Sequence, residues 1–134
     1  MYAERAAALK EIVAERKAAQ ESWKKANPEL ASELQNWIDG KIADVDYAAI
    51  AHKPGIATRA SSANVLSALA DKVKNMIVSS ADLANSDKTD AFLKKTGSFK
   101  PGDFSGAFLQ AGVAELTMAS ICNGIALHGG LVAA

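Results

Sequence analysis

One stretch decides how this chain folds: GVAELTMASICNGIALHGG, residues 112 to 130. We expect residues 113 to 127 to form a helix whose apolar side chains fall on all sides rather than on one stripe. A helix that is apolar all round is typical of a protein interior, so the sequence predicts a buried helix. The only carboxylate of the stretch, Glu115, falls in the first helical turn, and the stretch contains no Lys or Arg.

Glu115 has two interpretations. In the first, its carboxyl sits in an apolar interior, where it can keep a proton and donate it in a hydrogen bond. In the second, it is a first-turn glutamate that the helix dipole favours, with its side chain in water. The residues of the stretch alone do not choose between the two.

Composition limits the classes of protein to consider. The 134 residues suffice for one modest core, and 15 Lys and Arg balance 15 Asp and Glu. This balance gives no long-range attraction to nucleic acid or to anionic membranes, so we expect neither as a partner. The first residues lack a secretory pattern, and the single cysteine, Cys122, excludes an internal disulfide. Both observations favour a cytoplasmic protein.

Two helices are predicted in the first 40 residues. Apolar residues recur at helical spacing from residue 2 to 24. A second helix is predicted from Pro28, after a potential cap at Asn27, to a stop at Gly40. We expect these helices to form a hairpin. Together with the irregular connector that follows, they make a helical arm of residues 1–54.

The pattern changes to that of an α/β domain at Thr58. We expect Thr58 to cap a helix that runs to about Val73, followed by a short buried strand at residues 75–80. A helix, an apolar strand and a polar loop in succession are typical of α/β domains. In such domains ligands bind beyond the carboxyl ends of the strands.

The polar loop after this strand carries Asp82 and Ser86, and we expect Ser86 to cap a short helix over residues 87–95. A weak strand is predicted over residues 104–111. Residues 131–134 read as the start of an apolar strand, so we expect the chain to be a fragment of a longer protein.

Three stretches, in the same order, resemble motifs of the transketolase family. Residues 55–59, GIATR, are similar to the Ala-Thr-Arg that opens the family's pyrimidine-binding domain. Residues 79–89, SSADLANSDKT, resemble Gly-Ser-Ala-Asp-Leu-Thr-Pro-Ser-Asn-Leu-Thr. Residues 112–130 resemble the helix that opens with Gly-Ile-Arg-Glu-His-Ala-Met, with departures at Ala114 and Leu116.

The resemblance implies a fold and an activity. Residues 55–134 would be part of a pyrimidine-binding α/β domain with a mainly parallel sheet. The parent enzyme would use thiamine diphosphate and Mg²⁺ to move a two-carbon ketol group between sugar phosphates, and the metal ligands would lie outside this chain. The parent would be a cytoplasmic homodimer with its active site at the subunit interface, and the fragment alone would be inactive.

The resemblance also implies roles for five residues. Glu115 would be catalytic and would hydrogen-bond the aminopyrimidine ring of the cofactor. Asp82 and Leu83 would complete the cofactor site. Arg59 and Ser86 would hold the sugar phosphate, the arginine through the charge-assisted fork that suits phosphate.

Two alternatives accompany this reading. The chain could be a non-catalytic α/β interaction module whose helical arm docks a partner. It could also belong to a related thiamine-diphosphate enzyme, such as a deoxyxylulose-phosphate synthase or a dehydrogenase subunit. Those enzymes share the glutamate, but they fit the Ala-Thr-Arg and Ser-Ala-Asp-Leu stretches less well.

Overall fold

The computed structural model describes residues 2–134, which divide into two compact units with the boundary between Asn36 and Trp37. The first unit is helical, and the second combines helices with a small sheet. The helices and strands, in chain order, are α1 (Tyr2–Ala26), α2 (Pro28–Ile38), α3 (Thr58–Lys72), β1 (Met76–Ser80), α4 (Ala84–Asp87), α5 (Asp90–Thr96), β2 (Phe108–Gln110), α6 (Glu115–His128) and β3 (Val132–Ala133), with a 3₁₀ turn at Tyr47–Ala49.

Both helices predicted in the first 40 residues are confirmed. A single residue, Asn27, separates them, and its side-chain amide donates a hydrogen bond of 3.0 Å to the carbonyl of Trp23 at the end of α1. Gly40 follows α2 with a positive φ of 72°, as expected of a glycine that ends a helix. Neither α1 nor any other helix within residues 2–134 has the apolar length needed to cross a membrane.

The sheet has three strands in the order β2-β1-β3, and both pairings are parallel. Val78 of β1 pairs with Phe108, and Met76 of β1 pairs with Val132. Every residue of β1 is buried, in keeping with the short buried strand that the sequence predicts. The predicted α/β class with a parallel sheet is therefore confirmed.

Helices cover both faces of this sheet. Side chains alternate between the faces along a strand, and Met76 and Val78 pack with Phe92 of α5 in the main core. The hydroxyl of Ser79, on the other face, lies 3.2 Å from the sulfur of Cys122 in α6. The helices α3 and α5 therefore cover one face of β1, and α6 covers the other.

The prediction that α6 is a buried helix is wrong for the described chain. None of its residues is buried, and Leu116 and Leu127 are 83% and 89% exposed. The reason is that α6 packs mainly against β1 and β3, along one side. An all-round apolar pattern predicts that other protein surface can pack around the helix. It does not show that residues of this same sequence supply that surface.

Two predicted helix caps are also wrong. Thr58 is the first residue of α3, and Ala57 holds the cap position without a side-chain hydrogen bond. Ser86 lies inside α4, whereas α5 begins after Thr89. The single short helix predicted here is two helices, because Lys88 adopts a left-handed φ of 69° that ends α4.

Candidate functional site

The predicted site residues lie at the carboxyl edge of the sheet. The loop after β1 carries Asp82 and Leu83, and the loop after β2 leads directly to Glu115. The two loops are tied together, because the N–H of Ala111 donates a hydrogen bond of 3.1 Å to the carbonyl of Ser80. This is the edge at which parallel α/β sheets bind ligands.

Two helix N-termini face the same edge. The helix α3 ends shortly before β1 and packs back along the sheet, so its first turn, which carries Arg59, returns to the carboxyl ends of the strands. The helix α6 begins at Glu115, immediately after the loop that follows β2. Free N–H groups and the positive end of a helix dipole favour anions at such positions.

The structure brings the two predicted phosphate residues together. Although 27 positions separate them in sequence, the Nη1 of Arg59 lies 3.5 Å from the carbonyl oxygen of Ser86, a long hydrogen bond. Both residues are exposed. The guanidinium group carries five N–H donors, so most of them stay available for a ligand beside Ser86.

A cleft of about 430 Å³ opens next to the predicted cofactor residues. Asp82 lies on its wall with a left-handed φ of 62°, and Leu83 is 53% exposed beside it. The residues that line the cleft come from β1, β2 and α4 and from the loops that follow the two strands: Ser80, Asp82, Ala84, Asn85, Phe108, Gln110 and Gly112.

Glu115 is exposed at the first position of α6. Within residues 2–134 its side chain has no hydrogen-bond or ion-pair partner. In the described chain its side chain therefore lies in solvent, at the first turn of α6. Its carboxyl group is free to contact a ligand at this edge.

Sequence reasoning missed Asp87, which organises the loop after β1. One carboxylate oxygen, Oδ1, accepts hydrogen bonds from the N–H and the hydroxyl of Thr89 at 2.9 and 2.8 Å. The other oxygen, Oδ2, accepts a bond of 2.8 Å from the hydroxyl of Ser80, and the oxygen of that hydroxyl accepts one of 3.2 Å from the N–H of Leu83. An Asp two residues before a Thr is a turn signal, so half of this network could have been predicted.

The same contacts set the pKa of Asp87. Burial by itself would raise this pKa, but the hydrogen bonds from Thr89 and Ser80 to the carboxylate outweigh burial and lower the pKa below its ordinary value. Asp87 is therefore ionised at neutral pH and acts only as an acceptor.

A larger cleft, of about 660 Å³, lies between residues 44–51 and α3. The chain itself uses several of the polar groups that line this cleft. Lys95 pairs with Asp71, the carboxylate of Asp46 accepts two backbone N–H bonds, and the amide of Asn64 donates to a backbone carbonyl.

The groups at the carboxyl edge suit some ligands better than others. One free carboxyl at Glu115 fits a nitrogen heterocycle that shares a proton, and Arg59 with the helix N-termini fits an anion. Among residues 2–134, no group of three or more His, Cys, Asp or Glu side chains could hold a metal ion.

Comparison with known sequences gives consistent matches. The sequence profile of the family described as "Transketolase, pyrimidine binding domain" matches residues 54–134. The chain is 41% identical to the transketolase of Geobacillus stearothermophilus over 113 residues, which are 82% of this chain and 17% of that protein. It is 39% identical to the transketolase of Scheffersomyces stipitis over 143 residues, covering 95% of this chain and 21% of that protein.

Solved structures of transketolases are also similar to this chain. A transketolase from Leishmania mexicana superposes with a TM-score of 0.79 at 26% identity, covering 92% of this chain and 19% of that one. A transketolase from Pichia stipitis, solved in complex with sedoheptulose-7-phosphate, gives a TM-score of 0.68 at 36% identity, covering 92% of this chain and 20% of that one. The chain spans about a fifth of the length of the relatives it matches.

Proposed function

Because the chain belongs to the transketolase family, we propose that it forms the pyrimidine-binding part of an enzyme that transfers a two-carbon ketol group between sugar phosphates. The observation that carries this proposal is the gathering of the matched residues at one edge of the sheet. Asp82 and Leu83 lie in the loop that Ala111 ties to the start of α6, and Arg59 contacts Ser86 beside that loop.

Glu115 is the proposed catalytic residue. When bound, thiamine diphosphate supplies the carbon nucleophile and the electron sink for breaking the carbon–carbon bond of a ketose phosphate. The carboxyl of Glu115 holds a proton and shares it with a nitrogen of the aminopyrimidine ring. Its place at the start of α6, without a partner in the described chain, leaves the carboxyl free for this contact.

Leu83 and Asp82 complete the proposed cofactor site. Leu83 follows Asp82 in the chain and presents an apolar side chain that is half exposed, a suitable support for an apolar ring edge. Asp82 lies on the wall of the same cleft and adds a polar acceptor. The left-handed backbone of Asp82 turns the chain sharply, shortly after the end of β1.

Arg59 and Ser86 form the proposed phosphate site. The guanidinium binds two phosphate oxygens at once, and the Ser86 hydroxyl donates a further hydrogen bond. The first turn of α3 adds free N–H groups. The Pichia stipitis structure, a complex with sedoheptulose-7-phosphate, supports sugar phosphates as the substrate class.

The proposal includes features that this sequence does not contain. We propose that Mg²⁺ and the cofactor diphosphate bind to residues outside this sequence, in a cytoplasmic homodimer whose active site lies at the subunit interface. The exposed apolar side chains of α6 support a covering surface from another domain or subunit.

A hybrid enzyme tests the proposed function. In this hybrid transketolase, the present sequence replaces the matching segment of the Geobacillus stearothermophilus enzyme. We expect transfer from a ketose phosphate to an aldose phosphate that depends on added thiamine diphosphate and Mg²⁺, and no transfer by the isolated chain. A hybrid that folds and binds the cofactor but transfers no ketol group would contradict the proposal.

A further inference from the structure

The cleft at the carboxyl edge of the sheet carries two amide side chains that the described chain does not use. Asn85, in α4, and Gln110, the last residue of β2, both line this cleft of about 430 Å³, and both are exposed. Within residues 2–134 neither amide group has a hydrogen-bond partner. The hydroxyl of Ser80 in the same cleft differs, because it is already bonded to Asp87.

The two amides belong to the same face of the sheet. Gln110 pairs with Ser80 in parallel register, and paired residues of neighbouring strands point to the same face. On that face the hydroxyl of Ser80 reaches Asp87, the last residue of α4. Gln110 therefore extends from the sheet on the side where α4 carries Asn85.

The cleft connects the two parts of the proposed active site. Asp82, a proposed cofactor residue, lies on its wall, and Asn85 directly precedes Ser86 of the proposed phosphate site. In a bound sugar phosphate, the carbon chain joins the phosphate to the carbon that reacts at the cofactor. With the phosphate at Ser86 and the cofactor at Asp82, this carbon chain runs along the cleft.

Amide side chains suit a row of hydroxyl groups. Each amide offers two N–H donors and one carbonyl acceptor, and each sugar hydroxyl both donates and accepts. We propose that Asn85 and Gln110 bind hydroxyl groups of the sugar phosphate, so that this cleft is the subsite for its carbon chain. The proposal rests on the proposed function and names how the same site selects its substrate. A cleft of this volume is within the usual range for small-molecule sites.

Asn85 makes this subsite a feature of the present chain. In the family motif that residues 79–89 resemble, proline stands at the position of Asn85, and proline has no side-chain hydrogen-bonding group. Ketol transfer therefore does not require this amide. We expect it to affect how well particular sugar phosphates bind, by the roughly two- to tenfold that a neutral hydrogen bond contributes to affinity.

Deoxy analogues of the aldose phosphate acceptor, each lacking one hydroxyl group, test the contacts in the hybrid transketolase. We expect at least one analogue to have a kcat/KM about two- to tenfold below that of the parent aldose phosphate, and Asn85→Ala to remove most of that difference. Asn85→Pro, which installs the motif residue in the first turn of α4, should do the same, because proline is tolerated in a first turn. Differences between the analogues that persist in Asn85→Ala and in Gln110→Ala would overturn the proposal.

The matched control is Gln20→Ala. Gln20 is an exposed amide of α1, in the other compact unit, and within residues 2–134 it also has no partner. Its removal should leave the differences between the analogues unchanged. All the variants should keep their melting temperature and their affinity for thiamine diphosphate, because the amides are exposed and face the sugar. A loss of cofactor affinity in Asn85→Ala, without a change in how the analogues are distinguished, would overturn the proposal.

Nuclear magnetic resonance of the isolated chain separates this inference from the proposed function. We expect titration with a ketose phosphate to shift the side-chain amide signals of Asn85 and Gln110, and the same concentration of inorganic phosphate to leave both signals in place. Signals that do not move with the ketose phosphate would overturn the subsite, even if the hybrid is active. An unsubstituted hybrid without activity would overturn the proposed function instead, and the titration would still decide whether the cleft binds sugar hydroxyl groups.

Discussion

Replacing Glu115 with Gln separates catalysis from stability. The change keeps the size of the side chain but removes its ability to hold and give a proton. In the structure this side chain is exposed and unpartnered within residues 2–134, so the folded state loses only a favourable interaction with the dipole of α6. Such an interaction contributes about 0.3–1 kcal/mol, and we expect the free energy of unfolding to fall by at most about 1 kcal/mol.

The effect on ketol transfer should be much larger. A positioned acid or base typically contributes about 10²–10⁴-fold to a rate, which corresponds to roughly 3–5 kcal/mol of barrier. We therefore expect kcat of the hybrid transketolase to fall by at least about a hundredfold at saturating thiamine diphosphate. The two magnitudes differ enough for one variant to distinguish the roles.

The assay pairs kcat with urea unfolding for two variants. Glu29→Gln is the control, because Glu29 is also an exposed glutamate in the first turn of a helix, α2. It should lose a similar small amount of stability and keep its rate. A Glu115→Gln hybrid with nearly normal kcat would refute the catalytic assignment, and so would an equal loss of rate in Glu29→Gln.

Four further predictions concern the phosphate site, the core, the exposed helix and pH. Arg59→Lys keeps the charge but loses the planar fork, so KM for the sugar phosphate in the hybrid should rise about tenfold; an unchanged KM would argue against this role. Phe92→Ala should lower the free energy of urea unfolding by about 3–5 kcal/mol, because this side chain is fully buried, whereas Phe104→Ala, 74% exposed, should cost less than about 1 kcal/mol; similar losses would contradict the described core. The isolated chain should self-associate through the apolar surface around Leu116, and light scattering that shows only monomers at high concentration would count against it. The folded state lowers the pKa of Asp87, so the contribution of this carboxylate to stability is complete above the unfolded pKa of about 3.9 and is lost as pH falls through the folded pKa. Urea unfolding at several pH values should show this loss of free energy, and the loss should be smaller in Asp87→Asn.

The sequence predicted the elements that depend on local signals. Pro28 and Gly40 mark the second helix because a proline suits the first turn and a glycine tolerates the left-handed end. The strand Met76–Ser80 is predicted by its short apolar run between a helix and a polar loop. These signals act within a few residues, so they can be read without knowing the rest of the fold.

Features that depend on tertiary contacts could not be predicted in this way. Lys88 is not a residue type that signals a left-handed turn, so the break between α4 and α5 was missed. The link from Asp87 to Ser80 requires knowing that the loop folds back onto the end of β1. The order of apolar residues in α6 likewise does not show that Leu116 is exposed in this chain.

The strand order has a consequence for how the chain is made. β1 is the central strand, yet both partners come much later: Val78 pairs with Phe108, and Met76 pairs with Val132. On the ribosome the apolar segment MIVSS is therefore complete well before either neighbour is synthesised. Unpaired apolar strands aggregate readily, and pairing across long stretches of sequence is slow. We expect the yield of folded protein to depend on the time between the synthesis of β1 and that of β2. It should also depend on whether a chaperone binds the unpaired strand during that time.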